Sequence, residues 1–375
     1  MRVAFDAHTI GQRDTGNEAY TLNLLRALTV TADPRQRYDV LTPHPQELVR
    51  LVPLPSGFEA IAIRPGTSAV RIPIGIPMAA LRRGADVLHM SYVGPPWAPC
   101  PTVITVHDLS YLASPELHSP RTRVLLRLLV GASVRRAAAV IAISEWTRRD
   151  LIHYYRLPPE RVTTIHLAPS STFHAVEGLR PDRLPPGVRE PFILAVGTLE
   201  PRKNLRRLVE AFAVLVRQNA FDGTLVLSGK PGFHAAELRS AVEACGLSGR
   251  VAFTGYVTDQ VLNVLYNRAQ ALVYPSLYEG FGLPVMEAMA CGCPVIASNA
   301  TAIPEVAGDA ALLVDPTSVA SIAQAMRAVL QRPDLARDLR VRGIRQAAGY
   351  SWERTARQTQ AIYDQVAREG RRAAA

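Results

Sequence analysis

The densest chemistry in the chain lies in Ala271–Cys291, ALVYPSLYEGFGLPVMEAMAC. An apolar strand ends at Ser276, and a loop with Gly280 and Gly282 follows. Pro284 suits the first position of a helix and Gly292 its C-terminal cap. Glycines let the backbone approach a ligand, and a helix N-terminus offers unpaired amides and a positive dipole end, a natural seat for phosphate. Glu279 sits in the loop and Glu287 in the first turn of the helix, with seven residues between them. Carboxylates accept hydrogen bonds from sugar hydroxyls but repel a phosphate laid directly against them. Amides and carboxylates together therefore fit a ligand with both parts, such as a sugar nucleotide. The competing reading leaves Glu287 as a mere complement to the helix dipole.

Gly197–Asn204, GTLEPRKN, places Arg202 and Lys203 after the strand FILAV and before a helix, where they can neutralise a diphosphate. Lys230, in SGKPG, repeats the arrangement one strand later. Solvated turn charges are the alternative for both. The chain has 40 arginines and two lysines, Lys203 and Lys230. A site that needs a compact ammonium rather than a planar guanidinium would resist such a drift. His107 and Asp108 close the strand TVITV, and a histidine there can bond a substrate hydroxyl, move a proton or be a satisfied structural residue. The loop Gly11–Gly16 follows the first strand, so Gly16 can bring backbone to phosphate, although GxGxxG is missing. SGKPG is no P-loop: residue 224 is Thr and Pro follows Lys230. There is no HExxH, and Cys291 and Cys293 have no partners at zinc spacing, so they read as packing around a helix end.

The elements that must position these residues alternate regularly. Strands are expected at 3–7, 38–43, 85–90, 102–108 and 139–144, with helices over 18–29 and 122–139. The pattern restarts with strands at 192–197, 224–229, 251–255, 271–276, 294–299 and 311–316, separated by helices. Buried strands alternating with helices predict an α/β class with two doubly wound parallel sheets. Gly178–Pro191, rich in proline and charge, reads as the linker. The composition (48% apolar, 20% charged, 6% aromatic) is that of a globular chain and excludes a disordered or coiled-coil one. Four cysteines exclude a disulfide scaffold. No apolar run is long enough to span a bilayer, and MRVAFDAHTI is no signal peptide, so the reading is cytoplasmic. The net charge of +10 is spread over both halves, and with few aromatics it gives no case for nucleic acid.

Taken together, these segments resemble a known family. YEGFGLPVMEAMACGCPVIAS is similar to the E-x7-E signature of the retaining glycosyltransferases of family 4, and AVGTLEPRKNL to their diphosphate-binding turn. VHDLSYL, AVIAISEWTRRDL and PEVAGDAALLVDP also match, so the resemblance covers nearly the whole chain. It implies a GT-B fold of two Rossmann-like domains facing a cleft. Residues 1–180 would take the acceptor and 190–351 the nucleotide sugar, while 352–375 would form a helix crossing back to the first domain. It implies metal-independent transfer with retention and no cofactor beyond the donor. By position, Glu279 and His107 would be catalytic and bind the donor sugar, with Phe281 beside them. Glu287 would bind the ribose. Lys203, also catalytic, and Arg202 would hold the diphosphate, helped by Gly16, Gly282 and Leu283. Thr198 replaces a common arginine of the diphosphate turn, which shifts charge onto Arg202 or Lys203.

The implied donor is GDP-mannose ahead of UDP- or ADP-hexose, since GTLEPRKN resembles mannosyltransferase turns. The partner is a glycan or lipid-linked acceptor. The basic, apolar run Pro120–Ala138 is either an ordinary domain helix or a peripheral contact with an anionic membrane at its inner face. Two other classes stand beside this reading: a pyridoxal-phosphate phosphorylase-like GT-B enzyme, whose lysine could only be Lys203 or Lys230, and a non-catalytic sugar-nucleotide-binding module.

Overall fold

The computed structural model describes residues 1–12, 15–64, 67–178, 184–232 and 235–374. It comprises two compact units, one of Met1–Leu167 with Ser351–Ala375 and one of Ala168–Tyr350. The division thus falls ahead of Gly178–Pro191, the stretch read as a linker, of which 179–183 lie outside the described residues.

The first unit is built on seven strands: β1 (Arg2–Asp6), β2 (Arg37–Thr42), β3 (Phe58–Ala62), β4 (Val87–Ser91), β5 (Thr102–Val106), β6 (Ala139–Ala142) and β7 (Val162–Thr164). They lie in the order β3-β2-β1-β4-β5-β6-β7, every pairing parallel. Val3, Ala4, Val87, Leu88, Val103 and Ile104 are buried at neighbouring positions along their strands, as expected of a sheet covered on both faces. The helix Thr15–Thr31 buries Tyr20, Leu24, Leu25 and Leu28, a spacing that follows one helical face. The C-terminal helix Trp352–Ala374 packs on it. Its inward stripe is Ala356, Tyr363, Val366 and Ala367, and its Thr355 hydroxyl donates to the His166 carbonyl at 2.7 Å.

The second unit has β8 (Phe192–Val196), β9 (Thr224–Ser228), β10 (Val251–Gly255), β11 (Ala271–Tyr274), β12 (Val295–Ser298) and β13 (Ala311–Val314). Their order is β10-β9-β8-β11-β12-β13, again all parallel. Leu208, Val209, Phe212 and Leu215 of the helix Leu205–Arg217 pack with Ile193, Leu225, Leu227 and Val273 into one core.

In both sheets chain order reverses beside the first strand, between β1 and β4 and between β8 and β11. Ligands of doubly wound sheets gather at such switch points, outside the carboxyl ends of the strands. Two strands were not expected from the sequence, β3 and β7. Both lie at sheet edges, where partial exposure weakens the apolar signal. Among the described residues no helix is long and apolar enough to cross a membrane.

Candidate active site

The carboxyl end of β8 continues through Gly197 into a short turn, Pro201–Lys203, before its helix starts at Leu205. The carboxyl end of β11 continues through Ser276 to Glu279. These two loops flank the switch point and are tied together. The Leu277 amide donates to the Arg202 carbonyl at 2.9 Å. The Lys203 ammonium donates to Glu279 Oε1 and to the Tyr274 hydroxyl, both at 2.6 Å. Arg202 Nη1 lies 2.9 Å from Glu279 Oε2 and 2.9 Å from the Tyr278 carbonyl. Glu279 is 6% exposed and Lys203 8%.

Burial alone would raise the Glu279 carboxyl. The Arg202 charge, then that of Lys203, outweighs it and holds the group down at about 2. Burial also draws the Lys203 ammonium below the ordinary lysine value, against the pull of Glu279. Two cations on one carboxylate leave a net charge of +1, fixed at the mouth of the sheet. That charge is preorganised for an anion, and it costs no reorganisation when a neighbouring bond breaks. Sequence reasoning gave Arg202 and Lys203 to the diphosphate and Glu279 to the sugar; the structure joins all three in one ion cluster.

Gly282 precedes the helix Leu283–Ala290 in a left-handed conformation, φ +101°. A Cβ there would meet Ile303 Cδ1 at 2.5 Å, the far end of a side chain that can shift, so it is the backbone conformation that favours glycine. Leu283 opens the helix, and Pro284 takes its second position rather than the first. Glu287 is the fifth residue of this helix, so the expectation of a first-turn position is corrected, and with it the dipole reading loses most of its force. The Tyr266 hydroxyl donates to Glu287 Oε2 at 3.0 Å. Burial pushes the Glu287 carboxyl up to about 8, despite that bond. The Phe281 ring is buried and meets Tyr350 edge-on at 6.2 Å, so only its backbone remains for a ligand.

In the first unit His107 follows β5, 8% exposed. Its ring stands edge-on to Tyr20 at 4.6 Å and tilted to Tyr92 at 5.3 Å. Tyr92, just past β4, holds φ +57°, a backbone strain unusual for a bulky side chain. Burial depresses the imidazole to about 4, so it is neutral at pH 7. Its Nε2 is buried with no hydrogen-bond partner among the described residues. Such an orphan is costly unless a ligand atom completes it. Asp108 does not bond this ring; it accepts from the Ser110 amide and hydroxyl. Gly16 lies inside the first turn of the helix Thr15–Thr31 rather than in the loop before it. It is exposed, and a Cβ there would meet nothing within 4 Å, so any role falls to its amide.

Several residues escaped the sequence reading. Tyr274 sits at the end of β11 among apolar residues, and its hydroxyl on Lys203 has no sequence signal. Thr301 accepts the Glu279 amide at 3.0 Å. Asn204, φ +58°, donates to the Pro275 and Pro316 carbonyls at 2.9 and 2.6 Å and so ties the ends of β11 and β13. Asn tolerates the left-handed region better than most residues, and its place before a helix was the available clue. Lys230 stays apart from the cluster, 5.7 Å from the Tyr256 ring centre. Cys291 and Cys293 are buried at the helix end, as expected. A groove of about 770 Å³ lined by Glu190, Arg268 and Arg340 holds none of the expected site residues. Among the described residues no three His, Cys, Asp or Glu side chains could hold a metal ion together.

This geometry agrees with what the chain is similar to. The model for Glycosyltransferase Family 4 matches residues 15–168, and that for Glycosyl transferases group 1 matches 181–346. The O-antigen chain mannosyltransferase B of Escherichia coli is 37% identical over 68% of this chain and 68% of its own length. The serotype-specific mannosyltransferase WbdA of Escherichia coli is 34% identical over 70% of this chain, which spans 32% of that protein. Sucrose-phosphate synthase from Thermosynechococcus elongatus shares the fold, with a TM-score of 0.77 at 24% identity, covering 97% of this chain and 98% of that one. The protein is a GT-B glycosyltransferase, an enzyme that transfers hexosyl groups from an activated donor. Within that class the chain belongs to glycosyltransferase family 4 and stands with its mannosyltransferase-like members.

Proposed function

We propose that the protein transfers mannose, with retention, from GDP-mannose to a glycan or lipid-linked acceptor in the assembly of a surface polysaccharide. The observation that carries this reading is the buried Arg202–Lys203–Glu279 cluster at the β8/β11 switch point, in a chain whose relatives are named mannosyltransferases. In this reading Lys203 and Arg202 hold the diphosphate and stabilise its growing charge as the glycosidic bond breaks. Glu279 accepts hydroxyls of the hexose. The amides of Gly282 and Leu283 meet the phosphate, and the backbone of Phe281 lies along the sugar. Glu287 takes the ribose hydroxyls. His107, neutral and with an open Nε2, binds a donor-sugar hydroxyl near C6.

Retention is assigned to a front-face route. The acceptor oxygen bonds to the anomeric carbon as the phosphate leaves from the same face, and the leaving phosphate takes the acceptor proton. A trapped glycosyl-enzyme adduct would overturn that route. Calorimetry with GDP, UDP, ADP and dTDP, without metal, tests the donor. GDP is expected to bind, and to bind more weakly to Lys203→Ala and Glu287→Ala; binding of UDP or ADP alone would replace the donor.

The same reading puts the enzyme on the cytoplasmic side, where a lipid-linked acceptor is met at an anionic membrane face. In the helix Pro120–Arg136, Val124, Leu125, Leu128 and Leu129 are exposed. Five arginines and no acidic residue share that helix. Apolar side chains with flanking arginines suit a bilayer interface. Binding to anionic vesicles that charge reversal at Arg123, Arg127 and Arg135 leaves unchanged would remove this contact.

A further inference from the structure

At the switch point of the first sheet, the chain leaves β1 through Asp6, Ala7 and His8. His8 Nδ1 lies 2.8 Å from Asp6 Oδ2, and the His8 amide donates to Asp6 Oδ1 at 3.2 Å. The Asp6 side chain is 1% exposed and the His8 ring 22%. Among the described residues, both hydrogen bonds to the Asp6 carboxylate come from His8. A buried carboxylate is expensive, and it persists where its partner's geometry matters. This one holds the His8 backbone amide with one oxygen and the imidazole with the other.

The chemistry of the pair follows from its polarity. A carboxylate accepts and cannot donate, so in the neutral ring it holds the proton on Nδ1 and leaves Nε2 as the lone pair. That ring is partly open to solvent at the edge where doubly wound sheets take their ligands. Among the described residues, neither His44 nor His107, which also stand just past strand ends, has a carboxylate on its ring. β5, which carries His107, lies two strands away from β1, about 10 Å across the sheet.

We propose that the Asp6–His8 pair is an acceptor subsite, in which His8 Nε2 accepts a hydrogen bond from a hydroxyl of the carbohydrate acceptor. His8 is the binding residue and Asp6 the positioning residue that fixes its tautomer. The proposal rests on the reading that the first unit takes the acceptor, and its test is arranged to separate the two.

The experiment uses the full chain, GDP-mannose as donor and methyl α-mannoside as acceptor probe. His8→Phe removes the lone pair. Asp6→Asn keeps the shape, but its amide donates toward Nδ1 and moves the proton to Nε2. Both variants are expected to raise the acceptor KM about tenfold, the size of one hydrogen bond, with the donor KM and GDP affinity unchanged. His8→Gln, which retains an acceptor oxygen, should recover part of the loss. An unchanged acceptor KM in His8→Phe overturns the proposal. A second measurement does not depend on turnover or on a variant that folds. In 15N-histidine spectra of the unsubstituted chain, His8 is expected as the Nδ1-protonated tautomer, with its Nε2 resonance moving as methyl α-mannoside is added. An Nε2-protonated ring, or a resonance that stays fixed at saturating mannoside, overturns it. Failure of the chain to bind GDP strikes the donor reading alone, because the spectral titration still decides the subsite.

Discussion

Lys203 and Glu279, 76 residues apart in sequence, are joined by a 2.6 Å hydrogen bond at the switch point of the second sheet. The lysine reaches the carboxylate from the loop after β8, and the carboxylate comes from the loop after β11. Each therefore reports on the position of the other's strand. Lys203→Met would leave Arg202 as the remaining cation on Glu279. We expect a fall in kcat of about a hundredfold or more, the scale for removing one preorganised donor to a developing oxyanion. Because Arg202 still compensates Glu279, the stability cost should be about 1.5–3 kcal/mol, that of one hydrogen bond to a charged group. Steady-state rates and urea midpoints measured together would show both losses; an unchanged rate refutes the role.

Glu287 governs a pH dependence of stability. Its carboxyl sits at about 8 when folded against 4.5 ordinarily, so the folded state binds its proton more tightly than the unfolded one. The group's stabilising contribution is complete below the unfolded value and is lost as pH rises through the folded value. Glu287→Gln, which cannot ionise, should flatten that decline. Urea midpoints between pH 5 and pH 9 would then fall in the parent chain and not in the variant, as far as this group is concerned.

The two buried histidines of the first unit act at the other end of the scale. Burial depresses His107 to about 4 and His89 to about 3. Stability owed to their neutral forms is present above 6.5, the ordinary value, and is lost as pH falls through the folded values. Acid unfolding should begin in the first unit, with both rings charging. Histidine proton shifts recorded from pH 7 to pH 3.5 should show neither ring titrating near 6.5 while the chain is folded.

Two glycines should differ in their tolerance of alanine. At Gly282 an added Cβ meets the tip of Ile303, a side chain that can move, although φ +101° still costs about 1–2 kcal/mol. At Gly229, φ +153°, it runs into the Gly197 carbonyl oxygen, backbone against backbone, and neither can yield. Gly282→Ala is expected to fold and bind GDP more weakly, whereas Gly229→Ala should lose the cooperative unfolding of the second unit. Equal melting curves for the two variants would contradict this ranking.

Periodicity carried most of the fold. FILAV, TLVLS and ALVY announce buried strands because both faces are covered. FEAIA and VTT were silent because edge strands bury too little to force an apolar run. In the site, Glu279, Glu287 and Lys203 were legible from residue type and loop position. Their mutual pairing was not, since proximity across a switch point depends on strand order, which no local pattern encodes. The buried Asp6 was hidden for a related reason: its tie to His8 spans two residues and looks like any turn. Phe281 was singled out by its motif position alone; that its ring is buried against Tyr350 has no local sequence signal.

The first unit is discontinuous, since Ser351–Ala375 belongs with Met1–Leu167 while the second unit runs unbroken from Ala168 to Tyr350. Synthesis therefore imposes a waiting period. At 5–20 residues per second, about 10–40 s separate emergence of β7 from that of the helix bearing Tyr363, whose hydroxyl bonds His89. During that interval the Thr15–Thr31 helix lacks the cover that Trp352 gives Tyr20, and the uncovered side is a natural client for a holding chaperone. The second unit, complete before its neighbour, is the part that can ripen first.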